Sequence, residues 1–124
     1  MKFYICKHCG NIVTKLPSAG VPIKCGGENM VLLEAGVTDA AVEKHVPAVT
    51  VEGNLVKVSV GSVAPPMTAE HYIPWVALET ETSASVEWLQ PEQAPEVVFA
   101  LAEGQKAKAV YAWCNLHGLW KAEL

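Results

Sequence analysis

Leu55-Val56-Lys57-Val58-Ser59-Val60 is the stretch on which the fold turns. Its apolar residues return at every second position, the period of a strand with one face in a core and the other toward water. It is entered through Glu52-Gly53-Asn54, a turn-like tripeptide. Working outward, residues 72–80 are aromatic and β-branched, and 85–89, 96–101 and 107–113 repeat the theme. Gln90-Pro91-Glu92 and Glu103-Gly104-Gln105 separate them. The alanines of 106–112 would suit a helix, but Val110, Tyr111 and Trp113 favour a strand. Short strands, regular turn signals and no long helical period predict an all-β antiparallel sandwich from Val46 onward.

The chain has 124 residues, enough for one domain or for a small module ahead of one compact domain. A chain of this length buries roughly two-thirds of its unfolded surface on folding, so a real core is feasible. Hydrophobic residues make up 51%, which sets it apart from disordered chains. A net charge of −4 argues against a nucleic-acid partner, which would call for a basic face. No apolar run is long enough to span a bilayer. The opening Met1-Lys2-Phe3-Tyr4-Ile5-Cys6 lacks the pattern of a signal peptide, so no membrane partner and a cytoplasmic location are expected.

In a cytoplasmic chain, four cysteines favour metal ligation over disulfides. Cys6, Cys9 and Cys25 lie in a compositionally separate zone, residues 1–33, and Cys114 lies far from them. That zone has little apolar area and calls for a metal as a staple. Residues 37–41 read as a linker or cap into the main domain, taken as 34–124. Within it, Cys114-Asn115-Leu116-His117-Gly118 sets a thiol and an imidazole three residues apart, just after a strand. A tight loop there can turn both onto one ion, and sulfur with nitrogen suits iron or zinc rather than magnesium or calcium. An isolated pair of this kind is more often a buried thiol beside a loop histidine. Here His45 and His71 stand upstream in distinctive surroundings.

Those surroundings carry a resemblance. Glu43-Lys44-His45-Val46-Pro47, Pro66-Met67 leading to His71-Tyr72-Ile73 and Trp75, and the Cys114–His117 motif resemble the superoxide reductases in the same order. Cys6-Lys7-His8-Cys9-Gly10-Asn11-Ile12-Val13 resembles the desulforedoxin-like module that precedes them in desulfoferrodoxins. The resemblance spans nearly the whole chain. It implies an immunoglobulin-like sandwich with a mononuclear non-haem iron on its loops, reducing superoxide to hydrogen peroxide. It makes His45, His71 and His117 planar ligands and Cys114 the axial thiolate. Lys44 becomes the lysine that attracts the anion and aids protonation, and Glu43 the glutamate that can close the sixth position of the oxidised iron. A small electron-donor protein such as rubredoxin and a homodimer are implied as partners.

Two positions depart from the family pattern. Pro65, in Ala64-Pro65-Pro66-Met67, stands where the family has its second planar histidine, and proline cannot ligate a metal. The chain has four histidines, and only His8, in the other module, is left over. Glu70 or water could complete the plane. Gly26 stands where the N-terminal iron site has its fourth cysteine, leaving Cys6, Cys9 and Cys25 as an incomplete centre. The alternative expectation is therefore a non-catalytic protein on the same fold, binding zinc or iron or serving as an interaction module. Retention of Glu43 and Lys44, which have no evident structural task, favours the enzyme.

Overall fold

The computed structural model describes residues 1–36, 42–61 and 67–124. Residues 37–41, read above as a linker or cap, and residues 62–66, which include Pro65, lie outside them. The chain forms two compact units, Met1–Glu34 and Ala35–Leu124.

The first unit has five short strands: β1 (Phe3–Ile5), β2 (Ile12–Thr14), β3 (Lys24–Cys25), β4 (Glu28–Asn29) and β5 (Val31–Leu32). β1 is the centre of an antiparallel sheet in the order β2-β1-β5, and β3 and β4 form a separate hairpin. The apolar side chains this unit buries fully are Phe3 and Cys6, while Leu16, Val21, Val31 and Leu32 remain exposed. So few buried groups offset little of the entropy lost on ordering the chain.

The second unit opens with a short helix, α1 (Val42–His45), and continues as strands. These are β6 (Pro47–Glu52), β7 (Leu55–Val60), β8 (Trp75–Thr80), β9 (Ala84–Trp88), β10 (Glu96–Ala100), β11 (Ala107–Cys114) and β12 (Gly118–Glu123). Two antiparallel sheets result, in the orders β10-β7-β6 and β12-β11-β8-β9. The expected antiparallel sandwich is present. In β7 the alternation works as the sequence indicates: Val56, Val58 and Val60 are buried and Lys57 is exposed. They meet Phe99 of β10, Val76 and Leu78 of β8, and Val110, Ala112 and Cys114 of β11 in one core.

Three features differ from the sequence reading. The strand expected over 72–80 starts only at Trp75. Pro74 has no N–H for a ladder, and the Tyr72 and Ile73 amides are taken by the Asn115 side chain and the Met67 sulfur. A last strand, β12, was not anticipated; it pairs with β11 from Ala109↔Glu123 down to Cys114↔Gly118. The helical turn α1 was not anticipated either, since four residues give no period to detect.

Candidate metal centre

Two of the candidate ligands come from one hairpin. β11 ends at Cys114, β12 begins at Gly118, and three residues join them. Gly118 has φ 84°, a left-handed conformation open to glycine at little cost, which lets so short a loop close. The loop folds the imidazole back over the strand end, with His117 Nδ1 3.8 Å from Cys114 Sγ. Cys114 is 0% exposed and belongs to the hydrophobic core.

Asn115 ties this loop to the segment that carries His71. Its Oδ1 accepts from Tyr72 N at 2.9 Å, its Nδ2 donates to the Glu70 carbonyl at 2.9 Å, and its own N–H donates to the Tyr72 carbonyl at 3.2 Å. His71 is further set by Thr68, whose hydroxyl and carbonyl both accept from its backbone N–H. Sequence reading gave Asn115 no task, although the motif that contains it was singled out.

His45 reaches the same place from α1. It is 2% exposed, and its Nε2 lies 3.1 Å from His117 Nδ1. The Trp120 ring stacks on it with centroids 5.2 Å apart, while Trp120 Nε1 donates to the His117 carbonyl at 3.1 Å. One tryptophan thus fixes two ligand-bearing groups. α1 itself is seated against Gly61, whose N–H donates to the Val46 carbonyl at 2.9 Å. A Cβ at Gly61 would stand 2.6 Å from the Glu43 carbonyl oxygen and 2.6 Å from the Lys44 carbonyl carbon. No motif in the sequence marks that glycine.

The ligand atoms of His45, His71, Cys114 and His117 all lie within 4.8 Å of one another. With ligand bonds of roughly 2.0–2.3 Å, two groups on opposite sides of an ion stand about 4–4.5 Å apart, so a single cation suits this set. Two further observations agree. Among the described residues, the Nε2 of His71 is buried without a hydrogen-bond partner, an arrangement that costs free energy unless something satisfies that nitrogen. The facing nitrogens of His45 and His117 share one proton when neutral, whereas a cation uses both lone pairs. Burial, and then the charges of His117, His45 and Lys44, hold the pKa of His71 below its ordinary value. Its imidazole therefore stays neutral, the form that ligates.

Glu43 is exposed and Lys44 half-buried on α1, beside His45 in the chain. Among the described residues, the carboxylate of Glu70 is not one of the converging groups; Glu70 contributes its carbonyl to Asn115 instead. His8 is also elsewhere, its Nε2 2.9 Å from the Glu28 carboxylate.

In the first unit the sulfurs of Cys6, Cys9 and Cys25 also lie within 4.8 Å of one another. Gly10 donates to the Cys6 carbonyl at 2.8 Å and closes the turn holding the first two. The backbone amide of Cys9, then the Cys25 side chain and the His8 amide, bring the Cys6 thiol down to about 7. Hydrogen bonding to Cys6 and Cys9 pushes Cys25 up to about 11.

Comparison with known proteins agrees with this arrangement. The family model for desulfoferrodoxin matches residues 37–123. The desulfoferrodoxin of Nitratidesulfovibrio vulgaris is 45% identical, over 98% of this chain and 95% of that one. The superoxide reductase of Pyrococcus horikoshii is 39% identical over 66% of this chain and 86% of its own. The crystal structure of the superoxide reductase from Treponema pallidum superposes with a TM-score of 0.81, at 42% identity and 98% coverage of both chains. With a family model covering most of the chain, full-length relatives and a partly buried cluster of candidate His/Cys ligands, the chain belongs to the desulfoferrodoxin family.

Proposed function

We propose that this chain reduces superoxide to hydrogen peroxide at a single non-haem iron held by His45, His71, His117 and Cys114. The convergence of these four ligand atoms in a chain so similar to named superoxide reductases carries the reading. Iron bound there supplies the one electron that, with two protons, turns superoxide into hydrogen peroxide.

The chain's own residues do the rest. The Cys114 thiolate, buried in apolar surroundings, is costly unless paired with a cation, so it fixes charge at the floor of the site. Three neutral imidazoles and one thiolate leave a divalent ion with net positive charge, which favours a small anion. The Lys44 ammonium adds to that field and raises the local anion concentration. In this reading it also passes on a proton through a water. Glu43 is the carboxylate available to occupy the open side when no substrate is there. A small electron-donor protein such as rubredoxin, a homodimer and a cytoplasmic setting complete the reading, with residues 1–33 as a desulforedoxin-like module.

One observation favours a second reading. Pro65 leaves three imidazoles and a thiolate, a set that also makes a closed tetrahedral zinc site. The two are separated by metal content and superoxide consumption of wild type and Pro65→His after anaerobic reconstitution. The iron reading expects measurable activity in wild type and higher iron affinity and activity with histidine. A zinc-loaded, inert wild type on which histidine has no effect supports the second reading. A wild type already saturated with iron and fully active, unimproved by histidine, removes Pro65 as a defect.

A further inference from the structure

The first unit holds a second ligand cluster with a gap in it. Cys6, Cys9 and Cys25 converge, and among the described residues no fourth His, Cys, Asp or Glu joins them. His8 is engaged with Glu28 at 2.9 Å. The position after Cys25 is Gly26, which with Gly27 makes the two-residue turn between β3 and β4 at φ 63° and 82°. Both residues need positive φ, as a turn of this kind requires. A Cβ built on Gly26 meets nothing within 4 Å, and Gly26 is exposed. The place where the resembled four-sulfur iron site has its last sulfur is therefore open and faces water, and these residues do not fit a closed four-sulfur iron.

Two independent observations show that the remaining three sulfurs are arranged for an ion. Cys9 Sγ and Cys25 Sγ are 3.5 Å apart. That is too far for a disulfide, whose sulfurs lie about 2.0 Å apart, and near the roughly 3.8 Å expected of two thiolates on one tetrahedral ion with bonds of about 2.3 Å. Moreover, the unit buries only two apolar side chains and leaves Leu16 96% exposed. A piece of this size without a core is ordered by a cross-link or a metal, and its cysteines are free.

We infer that Cys6, Cys9 and Cys25 hold one thiophilic d10 cation of the zinc class through three thiolates, with an exogenous small thiol completing the fourth position. Zinc has no geometric demand from its d electrons, and three protein ligands with one exchangeable position is an arrangement it accepts. Thiolate softness selects this class over magnesium or calcium. Binding exchanges the thiol protons for metal–sulfur bonds and involves no change of oxidation state. Cys6 forms the buried floor, the half-buried Cys25 and exposed Cys9 form the rim, and the open side lies at the rim.

The test uses the full chain, reduced and stripped of metal, titrated with cadmium as the probe. Cadmium bound per chain and thiolate-to-cadmium ultraviolet absorption are followed in wild type, Cys9→Ser and Gly26→Cys. Beyond any cadmium taken by the His45, His71, Cys114 and His117 cluster, which Cys9→Ser leaves untouched, wild type should take one further cadmium per chain that Cys9→Ser binds roughly a hundredfold more weakly or worse, since even outer-shell losses cost 10–100-fold. Cys9 is exposed, so serine there leaves packing intact. Cadmium should also slow tryptic cleavage after Lys7, Lys15 and Lys24 in wild type. Added 2-mercaptoethanol should change the absorption of wild type but not of Gly26→Cys, whose new thiol fills the gap. Equal cadmium binding by wild type and Cys9→Ser overturns the inference. So does a wild-type spectrum indifferent to added thiol, or purified wild type with the visible bands of a four-sulfur iron.

Discussion

Gly61→Ala tests how the centre is assembled without touching a ligand. Gly61 has φ 77°, where an added side chain costs roughly 1–2 kcal/mol. The new methyl would also lie 2.6 Å from the Glu43 carbonyl oxygen and 2.7 Å from that of Lys44. Both obstacles are backbone, so α1 must retreat by most of an ångström to restore ordinary contact. Overpacking of this kind costs a further ~1–3 kcal/mol, giving roughly 2–5 kcal/mol in all. His45 sits on that helix with its Nε2 3.1 Å from His117 Nδ1, so the retreat opens the ligand set. A displacement on the order of 1 Å can cost about a hundredfold in rate. The assay compares metal affinity, superoxide consumption and melting temperature for wild type and Gly61→Ala at equal protein concentration. All three should fall, with loss of metal affinity separating a displaced α1 from a merely destabilised sandwich. An alanine variant with wild-type affinity and melting temperature would falsify the claim that this close approach seats the helix.

Other perturbations address other parts of the centre. Asn115→Ala removes both side-chain hydrogen bonds to the Glu70–Tyr72 segment, so stability should fall by about 1–3 kcal/mol and metal should dissociate faster; thermal unfolding and competition with a chelator measure the two. Lys44→Ala should lower the second-order rate with superoxide by roughly tenfold and flatten its dependence on ionic strength. An unchanged salt profile would remove Lys44 from substrate attraction. The metal-free chain should lose stability as pH falls below the ordinary histidine range. His71 is held below its usual pKa by burial and neighbouring charge, so the unfolded chain takes up its proton first and unfolding is favoured with acid. Denaturant titrations of metal-free protein at descending pH read this directly, and His71→Gln should weaken the dependence.

Most of the sandwich was legible because its strands are half-buried and alternate, as Val56, Val58 and Val60 do. β8 and β11 were harder, since central strands buried on both faces lose the alternation and leave only residue type as a guide. β12 escaped notice because Gly118, Lys121 and Glu123 interrupt its apolar character, and pairing with β11 defines it. The candidate ligand residues stood out because Cys and His in such surroundings have little else to do. Their supports did not. Asn115 acts through hydrogen bonds to residues 43 and 45 positions away, Trp120 through a ring stack on His45, and Gly61 through the absence of a side chain. None of these has a local signature, because each partner is supplied by the tertiary fold.

The placement of Cys114 in the core has a consequence for the protein's working life. A site that releases hydrogen peroxide beside its own sulfur invites stepwise conversion of that sulfur to sulfenic and then irreversible sulfinic acid. Such damage needs an oxidant to approach the sulfur and room for added oxygen atoms. At 0% exposure, packed with Val110, Ala112 and Ile73, Cys114 offers neither. Cys9, exposed in the first unit, has no such shelter. Under sustained oxidant the two sulfurs should therefore age on different clocks, the exposed Cys9 acting as an early casualty while Cys114 survives.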